Sequence, residues 1–268
     1  MSNLDLFSGK DKAEIAIDRL QAFCPPEGYY VAFSGGKDSV VILDLVKRSG
    51  VKYDAHYNIT GIDPPELFYF IRDNFPEVER HKPEATMWKL IVKEMTPPTR
   101  RVRYCCRYLK ERGGQDRKVV TGVRWAESAR RGKRRIVEAC FRNDRKFYIN
   151  PIIDWSDEDV WEYIKTRGIA YCSLYDEGFK RLGCIGCPMA GTDGRKKEFA
   201  RWPAFERKYK EAFSKVISKL SELPKDHRKK KNNTVNSYTK WIDSETMFNW
   251  WMEEGRGKSG ADQTVMFE

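Results

Sequence analysis

Chemistry is most legible in the run Ser34-Gly35-Gly36-Lys37-Asp38-Ser39. Two consecutive glycines take backbone angles closed to other residues and leave their amide N–H groups bare, so an anion can approach the main chain. Lys37 adds a point charge, the two serines add hydroxyls, and Asp38 can fix the loop or hold magnesium. A helix opening at the end of this run aims its positive end at the same spot. Together these features predict a phosphate or pyrophosphate site. The spacing is neither the GxxxxGK[ST] of the P-loop nor the GxGxxG of the dinucleotide turn.

A second group of reactive side chains is sulfur. The seven cysteines are Cys24, Cys105, Cys106, Cys140, Cys172, Cys184 and Cys187. An odd number with no apolar leader predicts reduced thiols in the cytoplasm, where grouped cysteines are metal ligands or redox groups more often than disulfides. Cys105 and Cys106 are adjacent, and Cys184 and Cys187 form CIGC. Four thiolates suit a 4Fe-4S cluster or a structural zinc, and Arg101, Arg103 and Arg107 favour thiolate over thiol. Cys24, Cys140 and Cys172 read as small core residues, and His56, His81 and His227 fall in no motif and receive no catalytic role.

These residues need elements to hold them. Residues 29–34 read as a strand that runs into the glycine turn, and VVILDLVKRSG reads as a buried helix closed by Gly50. Alternation over 51–57 predicts a second strand, and the prolines of TGIDPPELFYFIRDNF open a second helix. Further helices are expected at 86–95 and around YCCRYLKER, and strands at 117–123 and near FYINPII. Ser156 and Asp159 resemble a helix cap before SDEDVWEYIKTR. Strands alternating with helices imply an α/β fold, a parallel sheet with helices on both faces. Residues 1–190 are expected to form this nucleotide-binding domain with the cysteine cluster, and 191–268 a helical extension. In that extension 195–220 is helical and interrupted by Pro203, and 225–233 is a basic linker. A last helix puts Trp241, Met247, Phe248 and Trp251 on one side, for docking on the core or a partner.

Across the 268 residues the net charge is +11, and the window from Arg100 to Arg135 alone carries it, with fourteen Lys or Arg against three acids. That clustering is a footprint for nucleic acid or a polyanionic nucleotide, or a solvated face. No apolar run approaches the roughly 18 residues of a spanning helix, so no membrane is expected.

Several separated motifs resemble one family. SGGKDS is similar to the pyrophosphate loop of the adenine-nucleotide α-hydrolase (PP-loop ATP pyrophosphatase) superfamily. With TGIDPPE at 60–66, TGVRWAES at 121–128, NPIIDWSDEDVWEYI at 150–164 and YDEGFKRLGCIGCP at 175–188, residues 25–190 resemble the phosphoadenosine phosphosulfate (PAPS) reductase family. The resemblance implies a Rossmann-like fold and an adenine nucleotide, ATP or an adenylyl sulfate, with Mg2+. It implies nucleotide contacts from Ser34, Gly35, Gly36, Lys37, Asp38, Ser39, Gly122, Arg124, Glu127 and Ser128, with Lys37, Asp38 and Arg124 catalytic and Arg124 on phosphate. It also implies a 4Fe-4S cluster on Cys105, Cys106, Cys184 and Cys187, with zinc as the alternative metal. Family reductases attack with a cysteine near the C-terminus; no cysteine follows Cys187, and the tail ADQTVMFE lacks that motif. The intact loop instead resembles members that cleave ATP, and the motif content is closest to phosphorothioation-type sulfur-transfer proteins. The expected activity is an ATP-dependent adenylating sulfur transferase with a tRNA or DNA acceptor and a sulfur-donor protein. The alternatives are a sulfonucleotide reductase taking its thiol from outside the chain, and a non-catalytic nucleotide-binding module.

Overall fold

The structure, a computed structural model, describes residues 9–141, 143–222 and 241–253. In chain order its elements are α1 (Lys12–Phe23), β1 (Tyr29–Ala32), α2 (Lys37–Ser49), β2 (Tyr53–Asn58), α3 (Pro65–Asn74), β3 (Glu79–His81), α4 (Met87–Glu94) and α5 (Tyr104–Leu109). There follow β4 (Lys118–Val120), β5 (Val137–Cys140), β6 (Asn143–Ile149), α6 (Asp157–Arg167), α7 (Gly191–Arg201), α8 (Pro203–Glu222) and α9 (Ser244–Glu253). The chain divides into two compact units, one of residues up to 59, 64–82 and 112–183, the other of 60–63, 83–111 and the part from 184 onward. Where sequence reading put one boundary at 190, this division passes between the units several times and assigns both cysteine pairs to the unit that holds the C-terminal helices.

The first unit is built on a six-stranded sheet of order β3-β2-β1-β4-β6-β5. Every pairing is parallel except β5 with β6. Tyr29, Val31, Val119 and Val120 in the two central strands are all buried, as strands covered on both faces require. Chain order reverses between β1 and β4, which lie side by side with Val31 opposite Val120. In doubly wound sheets the crevice beyond the carboxyl ends of such strands is where ligands bind. Here β1 leads into SGGKDS and β4 into TGVR.

Local sequence explains where the helices stop. α2 ends at Gly50 with φ 69°, and α6 at Gly168 with φ 62°, left-handed positions that suit glycine. The anticipated cap of α6 forms: the Ser156 hydroxyl accepts from the Asp159 amide at 3.1 Å, and the Ser156 amide donates to the Asp159 carboxylate at 2.7 Å. Three elements were not anticipated. α1 buries Ala13, Ala16 and Leu20, too small a stripe to read as amphipathic. β3 is three polar residues, and β5 is an antiparallel edge of four. Of the isolated cysteines only Cys172 is fully buried; Cys24 and Cys140 are half-buried.

The second unit has an aromatic centre. α8 packs on α4 and on α9, and it begins at Pro203, so the interruption expected there is a helix start. The Tyr209 and Trp251 rings lie 4.7 Å apart, with Phe199, Phe213 and Phe248 around them. Trp241, expected on the last helix, precedes α9; it is buried, as are Met247, Phe248 and Trp251 on the helix, so these side chains belong to this unit's own core. The Trp251 indole N–H donates to the Pro98 carbonyl at 2.7 Å. Arg195, itself buried, donates to the carbonyls of Trp251 and Met252 at 2.8 and 2.9 Å and lies over the Trp251 ring. Trp251→Ala is therefore expected to cost about 3–5 kcal/mol of stability, read by urea unfolding.

The linker at 225–233, His227 and the tail ADQTVMFE lie outside the described residues. Among those described, no helix is long and apolar enough to cross a membrane.

Candidate functional site

Gly35 sits at φ 71°, and a Cβ there would come within 2.7 Å of Ile71 and 2.8 Å of Leu67. Both the angle and the space demand glycine, which turns the chain sharply from β1 into α2. Gly36 is the N-cap of α2 and leaves the helix end without a side-chain cap. The Ser39 hydroxyl donates to the Gly36 carbonyl at 2.8 Å and accepts from the Ser34 amide at 3.3 Å, closing the loop on itself. The Lys37 amide, first of the helix, donates to the Tyr175 hydroxyl at 2.8 Å. Burial is the main cause that pushes this phenol's pKa up, so it stays protonated.

Beside the loop stands a group of four charges. The Lys37 ammonium, on a buried side chain, is 3.4 Å from Asp38 and 3.2 Å from Asp157. Arg124 is 1% exposed; its Nε donates to Asp38 at 2.7 Å, one terminal nitrogen donates to Asp157, and the other to the Trp155 carbonyl at 3.1 Å. Two cations therefore clamp two carboxylates. Burial works against the charge on Asp157, but the Arg124 hydrogen bond and then Lys37 hold its carboxyl below the usual range. Gly122 permits the approach of this loop: a Cβ there would be 2.8 Å from that of Asp38.

The expected residues are thus brought together, with altered roles. Arg124, expected on phosphate, gives one N–H each to Asp38, Asp157 and the Trp155 carbonyl, three of the five donors of a guanidinium, and so also positions Asp38 and Asp157. Glu127 accepts from the Arg124 amide at 2.9 Å and pairs with Arg131, while the Ser128 hydroxyl accepts from the Arg131 amide at 3.3 Å. Both fix the loop. Sequence reading missed Asp157 and Tyr175, although both lie in quoted motifs; the acidic first turn of α6 was the available signal for Asp157. The basic window is shared out, 100–111 to the second unit and 112–135 to the first.

All four grouped cysteines fall in the second unit. Cys105 and Cys106 stand on the first turn of α5, and the Cys106 sulfur accepts from Arg103 at 3.2 Å. Cys184 and Cys187 flank a turn at Gly186, φ 74°, where a Cβ would meet Phe199, Tyr209 and Trp251 within 3.1 Å. The Gly186 amide donates to Glu198 at 2.7 Å. The thiols feel one another: the hydrogen bond from Cys105, then Arg103 and Lys110, draw the Cys106 thiol down against its burial, while that same hydrogen bond and burial drive Cys105 up. Burial pushes Cys184 up to about 12, and Cys184, Asp63, Cys187 and Cys106 all raise the pKa of Lys110. Arginine and lysine thus face thiols that burial alone would keep neutral.

A doubly wound sheet with a phosphate-type loop at its switch point defines a Rossmann-like α/β domain. Residues 28–190 match the phosphoadenosine phosphosulfate reductase domain, and the chain belongs to that family. An uncharacterized protein of Methanocaldococcus jannaschii is 31% identical over 68% of this chain and 41% of its own length. The adenosine 5'-phosphosulfate reductase of Oceanobacillus iheyensis is 25% identical over 66% of this chain and 78% of its own. In fold the chain is similar to the PAPS reductase of Candida auris, with TM-score 0.50, 20% identity, and coverage of 65% of this chain and 87% of that one. The chain spans about half the length of the two archaeal relatives, 41% and 56%.

Proposed function

We propose that the protein is an ATP-dependent adenylating enzyme of the ATP-pyrophosphatase type, serving sulfur transfer to a nucleic acid. The observation that carries this reading is the intact SGGKDS loop at the sheet's switch point, with Lys37 and Arg124 clamping Asp38 and Asp157 beside it. An acceptor oxygen attacks the α-phosphate of ATP, a P–O bond forms, the bond to the bridging oxygen breaks, and pyrophosphate leaves. Lys37 and the loop amides stabilise the charge that develops on that leaving group. Asp157 is 62% exposed at its side chain against 24% for Asp38, whose two oxygens accept from Arg124 and Lys37, so Asp157 is the carboxylate open to Mg2+. Sulfide-level sulfur released by a donor protein then attacks the adenylated centre, its bond to the acceptor forms as the bond to the AMP oxygen breaks, and AMP leaves.

Cys105, Cys106, Cys184 and Cys187 would hold a 4Fe-4S cluster, and the donor set fits: four thiols in one unit, with Arg103 and Lys110 as countercharges. Held by all four cysteines the cluster would organise this corner and leave no iron open to an extra sulfide; held by only one of Cys105 and Cys106, it would leave one iron to bind the donor's sulfur. Iron and sulfide analysis with an anaerobic absorption spectrum tests this, and one equivalent of zinc without a brown chromophore overturns it.

The deciding assay follows labelled ATP and adenylyl sulfate with the anaerobically prepared chain. Pyrophosphate from ATP supports the proposal. The similarity to adenosine 5'-phosphosulfate reductases over about two thirds of the chain favours a second reading, sulfonucleotide reduction by an external thiol, which releases sulfite instead. Binding without turnover of either would leave a nucleotide-binding module. A nucleic-acid acceptor also predicts salt-sensitive binding to tRNA or duplex DNA, weakening ~10³–10⁵-fold from about 50 to 200 mM salt if six to ten phosphates are contacted. A flat salt dependence in a filter-binding titration removes that acceptor.

A further inference from the structure

Strands β2 and β3 each carry an acid and a histidine two apart, Asp54 with His56 and Glu79 with His81. Side chains two apart on a strand share a face. The parallel register sets His56 beside Glu79 and Asn58 beside His81, so both histidines and the glutamate meet on one face of the sheet. Their ligand atoms all lie within 4.8 Å of one another. His56 Nδ1 is 2.8 Å from His81 Nε2 and 3.4 Å from a Glu79 oxygen, and His81 Nε2 is 3.8 Å from the other.

Behind this trio the support is already in place. The far nitrogen of His56, Nε2, is hydrogen-bonded to the Asp54 carboxylate, which both terminal nitrogens of Arg117 grip in turn. The His56 ring is buried and stacked on Tyr30 at 4.1 Å and 8°, so it is held in that orientation. With its proton on Nε2 toward Asp54, His56 presents the Nδ1 lone pair to Glu79 and His81. A carboxylate that fixes the tautomer and orientation of a histidine in this way is the usual outer support of a metal ligand.

We propose that His56 Nδ1, His81 Nε2 and the Glu79 carboxylate bind a divalent transition-metal ion of the Zn2+ type, with Asp54 as positioning residue and water in the remaining coordination places. Two imidazoles and one carboxylate suit such an ion, whereas magnesium and calcium take oxygen ligands. Zn–N bonds of roughly 2.0–2.1 Å place two tetrahedral ligand nitrogens about 3.3 Å apart. His81, on the edge strand with a side chain 35% exposed, has to yield only about half an ångström from its present 2.8 Å, and Glu79 is 65% exposed. The site lies one strand from the glycine loop, since His56 pairs with Ala32, the last residue of β1. A proton shared between the two imidazoles would satisfy them without an ion; the two accounts differ in the response to added metal.

The test uses the full chain, prepared anaerobically, stripped of loosely held metal with a chelator, and titrated with Co2+ and then Zn2+. Cobalt on cysteines shows a thiolate charge-transfer band in the near ultraviolet, and cobalt on nitrogen and oxygen ligands does not. The expected result is one equivalent of Co2+ without that band, displaced by Zn2+. His81→Ala abolishes this equivalent, Glu79→Gln weakens it at least tenfold, and Asp54→Asn weakens it by about 10–100-fold. Any thiolate-type equivalent stays unchanged in all three variants. If His81→Ala loses its far-ultraviolet circular dichroism, Glu79→Gln, at an exposed side chain, decides. A parent chain that binds Co2+ only through thiolate, or an equivalent of unaltered affinity in the folded His81 and Glu79 variants, overturns the proposal.

Discussion

Lys37→Met is expected to slow pyrophosphate release from ATP by about 100- to 1000-fold, the usual effect of removing one preorganised donor from the place where charge develops. The ammonium is fixed before any nucleotide arrives: its side chain is buried, and Asp157 and Asp38 hold it at 3.2 and 3.4 Å. It therefore needs no reorganisation when a bridging oxygen takes up negative charge. Methionine keeps the unbranched stem and deletes only the charge. Arg124 still holds both carboxylates in the variant, so the fold is affected far less than the rate. Single-turnover kinetics with labelled ATP give the comparison, and a rate within about threefold of the parent would take Lys37 out of the chemistry.

Arg124→Leu acts on the fold first. Its guanidinium is buried and serves two carboxylates and the Trp155 carbonyl, so its loss strands charged and polar groups together. Removing one partner from a buried ionic group costs about 3–5 kcal/mol, and the exposure of Asp157 argues for the lower end. Arg124→Lys recovers little, since one ammonium cannot reach three acceptors held by a planar fork. Urea unfolding at neutral pH measures both variants. Acid adds an independent signature. The Asp157 carboxyl is held below its ordinary 3.8, with burial opposing and the Arg124 hydrogen bond foremost among the lowering causes. Its contribution is thus complete above about pH 4 and lost as pH falls through the depressed value. Unfolding curves between about pH 5 and 2 should be steeper in pH for the parent than for Arg124→Leu.

The sequence made the glycine loop, the parallel sheet and the four grouped cysteines legible because each rests on local chemistry: Gly35 at positive φ, strands buried on both faces, sulfur in pairs. What it concealed depends on partners distant in the chain. The grip of Arg124 on Asp38, 86 residues away, and Asp157, 33 away, has no local signal. Tyr175 lies 138 residues from the amide it meets. The histidine trio was invisible for another reason: its pattern repeats every second residue on two strands, and only the β2–β3 register makes it one group. The Trp-rich last helix left core and interface equally open until Pro98 and Arg195 were found to bind it.

The Gly186 turn bears on how the chain can be cut. The wall against which that turn is pressed is formed by Phe199, Tyr209 and Trp251, all downstream of the matched family segment 28–190. An excised fragment ending at 190 would keep all four grouped cysteines and forfeit the surface that shapes the turn between two of them. The homology limit at 190 therefore cuts through the second unit, and a chain expressed to that limit would lack the packing partners of the CIGC turn.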